Sequence, residues 1–389
     1  MLSGGDAAGI LGFRMARRHI AQGTRYGPVR IGIAGCGNAA EGLHLPALRR
    51  LGARVTALAD PDRSALDRLA DRYGVARRHS HADALIDDPE VDVVAVLTPP
   101  AARAQLVIPA LEAGKHVLVE KPLGLDLADC DRMLEAEARH PAPRVMVGFP
   151  MRFHRLVVIA RDLIAEGGLG AASAIRSTTF GPGTEHALGR PPSAWRRQRR
   201  AGGGTLFEMG VHHYDLWRFL LGSEAEEVWA TSEVEDEADR ASLVVVRLRG
   251  GVLACSLLVR SQEASNEVAV HGSKGRLDLD LYRFDGLSVR PAALHPGGAR
   301  TRVAAMFGTV RELPRGFRSL RAGGEYALAI VEEWRHFLGC VRDGSQVRST
   351  LQDGREATRL ALAVVESTRR GTRISVSDQD AAVAEPSHP

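Results

Sequence analysis

The chain has 389 residues, of which 44% are apolar and 25% charged. At about 150 residues per domain this length predicts two or three domains, and the near-average fractions exclude large-scale disorder and coiled coil. A net charge of +4, from 51 basic and 47 acidic residues spread along the chain, gives no case for nucleic acid, and no apolar run approaches the length of a membrane helix.

Residues 1–28 are rich in Gly, Ala and Arg without a clear period. They read as a disordered arm, or as a start placed ahead of Met15, with a dimer-clasping arm as the alternative. Arg17 and Arg18 follow the apolar patch at 7–13, whereas a signal peptide has its positive charge first. From residue 29 the pattern sharpens. Short apolar strands are expected at 29–34, 54–59, 91–97, 117–119 and 145–148, separated by helices at 64–73, 101–113 and 127–139. Apolar strands alternating with helices predict an α/β fold with a parallel, doubly wound Rossmann sheet over residues 29–150. Beyond 150 the period changes. Helices are expected at 154–166 and 205–221, then strands at 227–234, 242–249, 252–260 and 267–271 with a hairpin at Gly250-Gly251. Residues 291–322 read as a long surface loop, and helices are expected at 325–341 and 351–369. Residues 151–376 thus form an α+β domain with a mainly antiparallel sheet, and 377–389 a disordered tail. The amphipathic strands leave a sheet face to be covered, which predicts a homodimer or homotetramer. Cys36, Cys130, Cys255 and Cys340 lie at least 85 residues apart, so neither a disulfide framework nor a zinc knuckle is expected, and a reducing cytoplasm is the simplest location.

Gly35-Cys36-Gly37-Asn38-Ala39-Ala40 follows the first strand in the pattern G-x-G-x-x-A. The first glycine permits the turn, the second lets the backbone approach a pyrophosphate, and Ala40 lets the following helix pack close, with its N-terminus toward the phosphates. Asp60 ends the second strand about 20 residues on, where a carboxylate binds the adenosine ribose diol and repels a 2′-phosphate. This favours NAD, while Arg63, which can accept such a phosphate, leaves NADP open.

Only three of the basic residues are lysines: Lys115, Lys121 and Lys274. A lysine retained in so arginine-biased a chain invites a chemical reading, because lysine can be tuned and arginine cannot. Lys121 stands in Glu120-Lys121-Pro122, just after a strand, at the end of the sheet where ligands bind. Near a nicotinamide its ammonium would stabilise the alkoxide of hydride transfer. Pro122 restricts its backbone, and the bond between them is a candidate for cis. Further on, Gly202-Gly203-Gly204 precedes a helix that carries Glu208, His212 and Asp215 at i, i+4 and i+7, on one face. A carboxylate one turn from a histidine suits a general base, and equally a structural ion-pair cluster. His213 points off this face and reads as structural. No partner motif supports a metal.

Together these motifs resemble the Gfo/Idh/MocA family, named for glucose-fructose oxidoreductase, inositol dehydrogenase and MocA. The likeness runs over residues 29–376 and includes Gly35 to Ala40, Thr98-Pro99, Glu120-Lys121-Pro122, Gly148-Phe149 with Arg152-Phe153, Trp195-Arg196, the triple glycine with its helix, and Gly272-Ser273-Lys274-Gly275. It implies a Rossmann domain followed by an open-faced sheet that commonly forms an oligomer interface. It also implies NAD(P)-dependent hydride transfer between the nicotinamide and a secondary alcohol or carbonyl of a sugar, sugar acid or polyol. Lys121 matches the family's catalytic lysine, His212 its catalytic histidine and Asp215 a substrate-contacting aspartate. The chain departs from the pattern at three positions: Glu208 replaces aspartate, Arg103 replaces histidine and Pro150 replaces asparagine. The expected cofactor residues are Gly35, Gly37, Asn38, Ala39, Ala40, Asp60, Arg63, Thr98, Pro99, Glu120 and Lys121. In the expected mechanism His212 takes the hydroxyl proton, Lys121 hydrogen-bonds the same oxygen, and Glu208 aligns one of them. Arg152, Trp195, Arg196 and Arg200 are candidate substrate contacts. The arginine run 196–200 reads either as a solvated loop or as a seat for an anionic group. An NAD-retaining glycosidase-type enzyme and a non-catalytic sugar sensor are the rival functions.

Overall fold

The computed structural model describes residues 29–181, 193–235, 238–292, 312, 314, 316–317 and 319–380. The arm at 1–28, most of the loop expected at 291–322 and residues 381–389 lie outside the described residues.

The first half alternates as expected. β1 (Arg30–Ala34) leads through the glycine turn into a π-helical turn (Ala40–His44) and α1 (Leu45–Leu51). There follow β2 (Arg54–Ala59), α2 (Arg63–Tyr73), β3 (Arg77–His79), α3 (Ala82–Ile86), β4 (Val93–Val96), α4 (Ala104–Glu112), β5 (His116–Glu120), α5 (Leu127–Arg139) and β6 (Val145–Gly148). Chemistry at the ends sets several boundaries. Asp62 caps α2 by accepting from the Ser64 backbone N–H at 2.9 Å, and Gly74 ends it in the left-handed region. The six strands are parallel in the order β3-β2-β1-β4-β5-β6. β4 is buried at every position, as a strand covered by helices on both faces must be. The order reverses between β1 and β4, so the crevice that binds ligands in such sheets opens there, above Gly35, Thr98 and Lys121.

The second half holds α6 (Arg155–Ala165), β7 (Ala172–Gly181), α7 (Gly210–Leu221, entered by a π-helical turn over Thr205–Met209), β8 (Ala225–Glu235), β9 (Ala238–Leu248), β10 (Leu253–Arg260), β11 (Ser265–Gly272), β12 (Gly275–Asp280), β13 (Leu287–Pro291), α8 (Glu325–Asp343), α9 (Leu351–Arg370) and β14 (Ile374–Ser375). Eight strands form a second, mainly antiparallel sheet in the order β13-β12-β11-β7-β10-β9-β8-β14. Its inner face packs on α7 and α9, with Trp217, Val244, Val246 and Leu360 in the core between.

The C-terminal helices depart from the expected division at residue 150. Trp334, Phe337 and Leu338 of α8 share a core with Ile31, Leu45 and Met146 of the Rossmann unit, and Gly354 of α9 lets that helix close onto Leu123 and Val147. These two helices therefore pack on the Rossmann unit as well as belonging in sequence to the second half. The apolar face of α8 covers the Rossmann sheet beside α1, so this late segment stands next to the crevice.

Candidate active site

The glycine turn has the form a dinucleotide requires. Gly35 holds φ +104, and a Cβ there would stand 2.9 Å from the Leu97 carbonyl, so glycine is needed for both conformation and space. A Cβ on Gly37 would meet no atom within 4 Å, which leaves that flank of the turn open. The Thr98 hydroxyl at the end of β4 is buried without a partner among the described residues. Asp60 accepts from the Cys36 backbone N–H at 2.6 Å and from the Asp62 backbone N–H at 2.8 Å, which fixes its carboxylate beside the turn. Arg63 is turned to Asp67, Nε to Oδ2 at 2.8 Å, rather than toward Asp60. Asn38 donates to Ser193 at 3.4 Å, bringing the Trp195 segment over the turn, while Ala40 is fully buried under its helix and Pro99 is exposed. An open glycine turn, a placed acid and an unspent hydroxyl together fit a nicotinamide dinucleotide.

The part of the crevice around Lys121 is held from behind by a chain of buried groups. The Trp334 indole N–H donates to His44 Nδ1 at 3.0 Å, so the proton of neutral His44 sits on Nε2, which donates to Glu120 Oε1 at 3.0 Å. Glu120 Oε2 accepts from the Lys121 backbone N–H at 3.0 Å. Burial works to raise the Glu120 pKa, but His44, Lys121 and Arg103 outweigh it and hold the carboxyl at about 2. Arg103 is buried and spans the crevice walls. Its Nε and Nη2 donate to the Thr98 carbonyl at 3.1 and 2.9 Å, and Nη1 donates to the Pro122 carbonyl. Burial lowers its pKa to about 10. The Lys121-Pro122 bond is cis.

Lys121 Nζ donates to the Glu208 carbonyl at 3.0 Å and to Glu208 Oε1 at 3.1 Å. Burial lowers the lysine's pKa; the nearby Glu208 carboxylate opposes that shift and Arg196 adds to it. Glu208 also meets Arg196 Nη1 at 2.9 Å and Arg260 Nη2 at 3.5 Å. Burial alone would raise the Glu208 pKa; Arg196, Lys121 and Arg260 overcome it and hold the carboxyl below the ordinary range. The glycine run shapes this cluster. A Cβ on Gly203 would stand 2.4 Å from the Arg196 carbonyl oxygen, and the Gly204 N–H donates to that oxygen at 3.2 Å, so the Trp195–Arg196 segment lies directly on the glycines. The Arg196 guanidinium stands 5.0 Å from the half-buried Trp195 ring.

His212 lies one turn beyond Glu208 on the same helix. Its Nδ1 is buried without a hydrogen-bond partner among the described residues. Burial, reinforced by the Lys121 charge, drives its pKa well below the ordinary histidine value, so the ring is neutral at pH 7. His213 is taken up by the core, between Ser256 Oγ at 2.6 Å and Thr179 Oγ1 at 2.9 Å.

The structure brings Lys121, Glu208, Arg196 and His212 together, and it places Asp215 and Arg152 elsewhere. Arg152 grips Asp215 through Nε at 2.9 Å and Nη2 at 2.5 Å, and reaches Asp353 at 2.9 Å. That pair is buried and ties α7 to the N-terminus of α9, and neither residue hydrogen-bonds Lys121, Glu208 or His212. Arg200 is exposed. Sequence reasoning missed His44, Trp334 and Arg260. The first two come from segments 290 residues apart, and only packing joins them. Arg260 had a signal: it stands on the same alternating strand face as the buried Ser256, which bonds the motif helix.

The fold and site define an oxidoreductase built on an NAD-binding Rossmann domain. Residues 29–149 match the family model of the Gfo/Idh/MocA oxidoreductases with NAD-binding Rossmann fold, and 157–278 match the family's C-terminal domain. The chain belongs to this family. It is 29% identical to a myo-inositol 2-dehydrogenase of Thermotoga maritima, over 90% of this chain and 99% of that one. It is 31% identical to an inositol 2-dehydrogenase of Saccharopolyspora erythraea, over 68% of this chain and 78% of that one. The scyllo-inositol dehydrogenase of Lactobacillus casei, solved with NAD(H) and scyllo-inositol, shares the fold with a TM-score of 0.71 at 22% identity, over 90% of this chain and 99% of that one. Among the described residues no helix is long and apolar enough to cross a membrane.

Proposed function

We propose that the protein oxidises a secondary alcohol of a sugar, sugar acid or polyol, or reduces the matching carbonyl, with Lys121 and His212 handling the reacting oxygen and its proton. The observation that carries this reading is the unspent capacity of Lys121. An ammonium has three N–H donors, and two of them are used on Glu208. The third is available to a substrate oxygen, where a fixed positive dipole stabilises developing negative charge. His212 is a neutral ring and so able to take a proton from that oxygen. Glu208 holds the Lys121 side chain in place, and Glu120 holds its backbone. Gly35, Gly37, Asp60 and Thr98 would seat the dinucleotide, whose nicotinamide supplies the hydride acceptor or donor. Asp60 beside the turn, with Arg63 drawn to Asp67, supports NAD over NADP. We further place the protein in a reducing compartment, as its four cysteines are free, and in a homo-oligomer joined through the outer face of the second sheet.

The test is a 340 nm assay with NAD+ and NADP+ against sugars, sugar acids and polyols. Lys121→Met and His212→Ala should each lower turnover by about 10²- to 10⁴-fold while NADH affinity, read by fluorescence titration, stays within about twofold. Wild-type turnover in either variant sinks the assignment. Protein purified with tightly held NAD that never yields NADH points instead to the glycosidase-type or sensor function.

A further inference from the structure

Three cations share one carboxylate at this site. Glu208 Oε1 takes Lys121 Nζ at 3.1 Å and Arg196 Nη1 at 2.9 Å, while Oε2 has Arg260 Nη2 at 3.5 Å. The last is the outer limit of a hydrogen bond. Among the described residues it is also the one polar contact that the Arg260 side chain makes. A guanidinium presents five donors in a planar fork that matches the two oxygens of a carboxylate. Arg260 leaves most of that fork unspent.

Its position gives the free donors a direction. Arg260 ends β10 on the face that carries Ser256, and Ser256 bonds His213 of the helix that bears His212. The Arg260 side chain is 21% exposed, against 9% for Lys121 and 7% for Glu208, so it stands at the mouth of the cluster with the reacting groups behind it. Arg260 and Lys121 contact opposite oxygens of the same carboxylate, which places them within the length of one small molecule. A merely structural partner for Glu208 would close to a short pair, as Arg196 does.

We propose that Arg260 is a specificity residue that receives a carboxylate of the substrate, so that the preferred substrates are sugar acids or other polyhydroxy acids. This rests on the oxidoreductase reading above. The acid's carboxylate lies in the Arg260 fork while a carbinol of the same molecule reaches Lys121 and His212.

The experiment compares matched probes: D-glucuronate and D-galacturonate with D-glucose and D-galactose, D-gluconate with myo-inositol, and D-glucose 6-phosphate. Turnover is followed at 340 nm, and binding to the enzyme–NADH complex by NADH fluorescence, with folding of each variant checked by thermal melting. At least one carboxylate should exceed its neutral partner by about tenfold or more in kcat/KM, and the advantage should shrink at high salt. Arg260→Gln should remove that preference through KM rather than kcat, and Arg260→Lys, which keeps charge without the fork, should restore part of it. Preference for the neutral member in every pair, preference for the phosphate, or an equal effect of Arg260→Gln on acid and neutral substrates overturns the proposal. If no probe is turned over, the oxidoreductase reading fails. Acid binding lost in Arg260→Gln would then still support the carboxylate seat, and no acid binding would overturn it.

Discussion

Glu208 stands where the family resemblance implies an aspartate, one methylene shorter. The carboxylate passes beyond its own helix to Lys121, Arg196 and Arg260 and does not hydrogen-bond His212, whose Nδ1 is left unpartnered. The histidine's pKa is therefore lowered by burial and by the Lys121 charge, which outweigh the opposing charges of Glu208 and Glu120. The signs for the oxidation reaction follow. His212 must be neutral to accept a proton, so the acid limb of kcat/KM should fall well below the ordinary histidine value near 6.5. Lys121 must be protonated to donate, and burial lowers its pKa, so the alkaline limb should fall below 10.5. A pH–rate profile checks both limbs, and an acid limb at 6.5 or above would show that His212 is not the base. Most of the candidate catalytic set was legible in the sequence, because Lys121, Glu208 and His212 sit in short motifs whose spacing follows from helix and strand periods. Arg152 and Asp215 were legible as residues but not as partners, since their ion pair joins positions 63 residues apart.

At the scale of elements, the glycine run and the segment before it act as one piece. Gly203 admits the Trp195 and Arg196 carbonyls at distances where a Cβ would be 2.6 and 2.4 Å away, and both obstacles are backbone, which cannot swing aside. Gly203→Ala must therefore move the 195–198 turn and carry Arg196 off Glu208. Displacing a positioning group by about 1 Å can cost on the order of 10²-fold in rate. Turnover should fall accordingly while NADH affinity holds, since the dinucleotide turn lies on β1; equal losses of both would mean that the whole crevice had shifted. Two strands absent from the sequence reading, β3 and β7, were hidden for different reasons. β3 is an edge strand of Arg-Arg-His with no buried residue. β7 turns Ser177 and Thr179 inward, where they bond Trp217 at 2.9 Å and His213 at 2.9 Å. Satisfied polar groups at core positions erase the alternation that identifies a strand. The other five Rossmann strands are apolar runs that need no alternation, and the spans expected at 29–34, 54–59, 91–97, 117–119 and 145–148 fall on them.

At the scale of the whole molecule, the second sheet has one face covered and one bare. α7 and α9 cover the inner face, while Trp229, Leu243, Val245, Leu253 and Leu257 are 36–55% exposed on β8, β9 and β10. Register makes these a single patch. Trp229 pairs with Val245, and Leu243 pairs with Leu257 on the next strand, so the side chains form adjoining rows across three strands. Scattered apolar residues need no explanation, but contiguous rows on a flat sheet mark an interface. A copy of the same face is the simplest cover, because a two-fold axis makes one patch its own complement. Light scattering after gel filtration should give a dimer or tetramer. Leu243→Arg, at the centre of the patch, should shift it toward monomer, because each two-fold contact would bury two unpaired guanidinium groups. The candidate active-site cluster lies on the opposite, helix-facing side of β10, so the dissociated protein should still bind NADH; loss of binding on dissociation would mean that the second copy helps to build the crevice. A monomer in the unaltered protein would leave the exposed rows to a different partner and overturn the homo-oligomer.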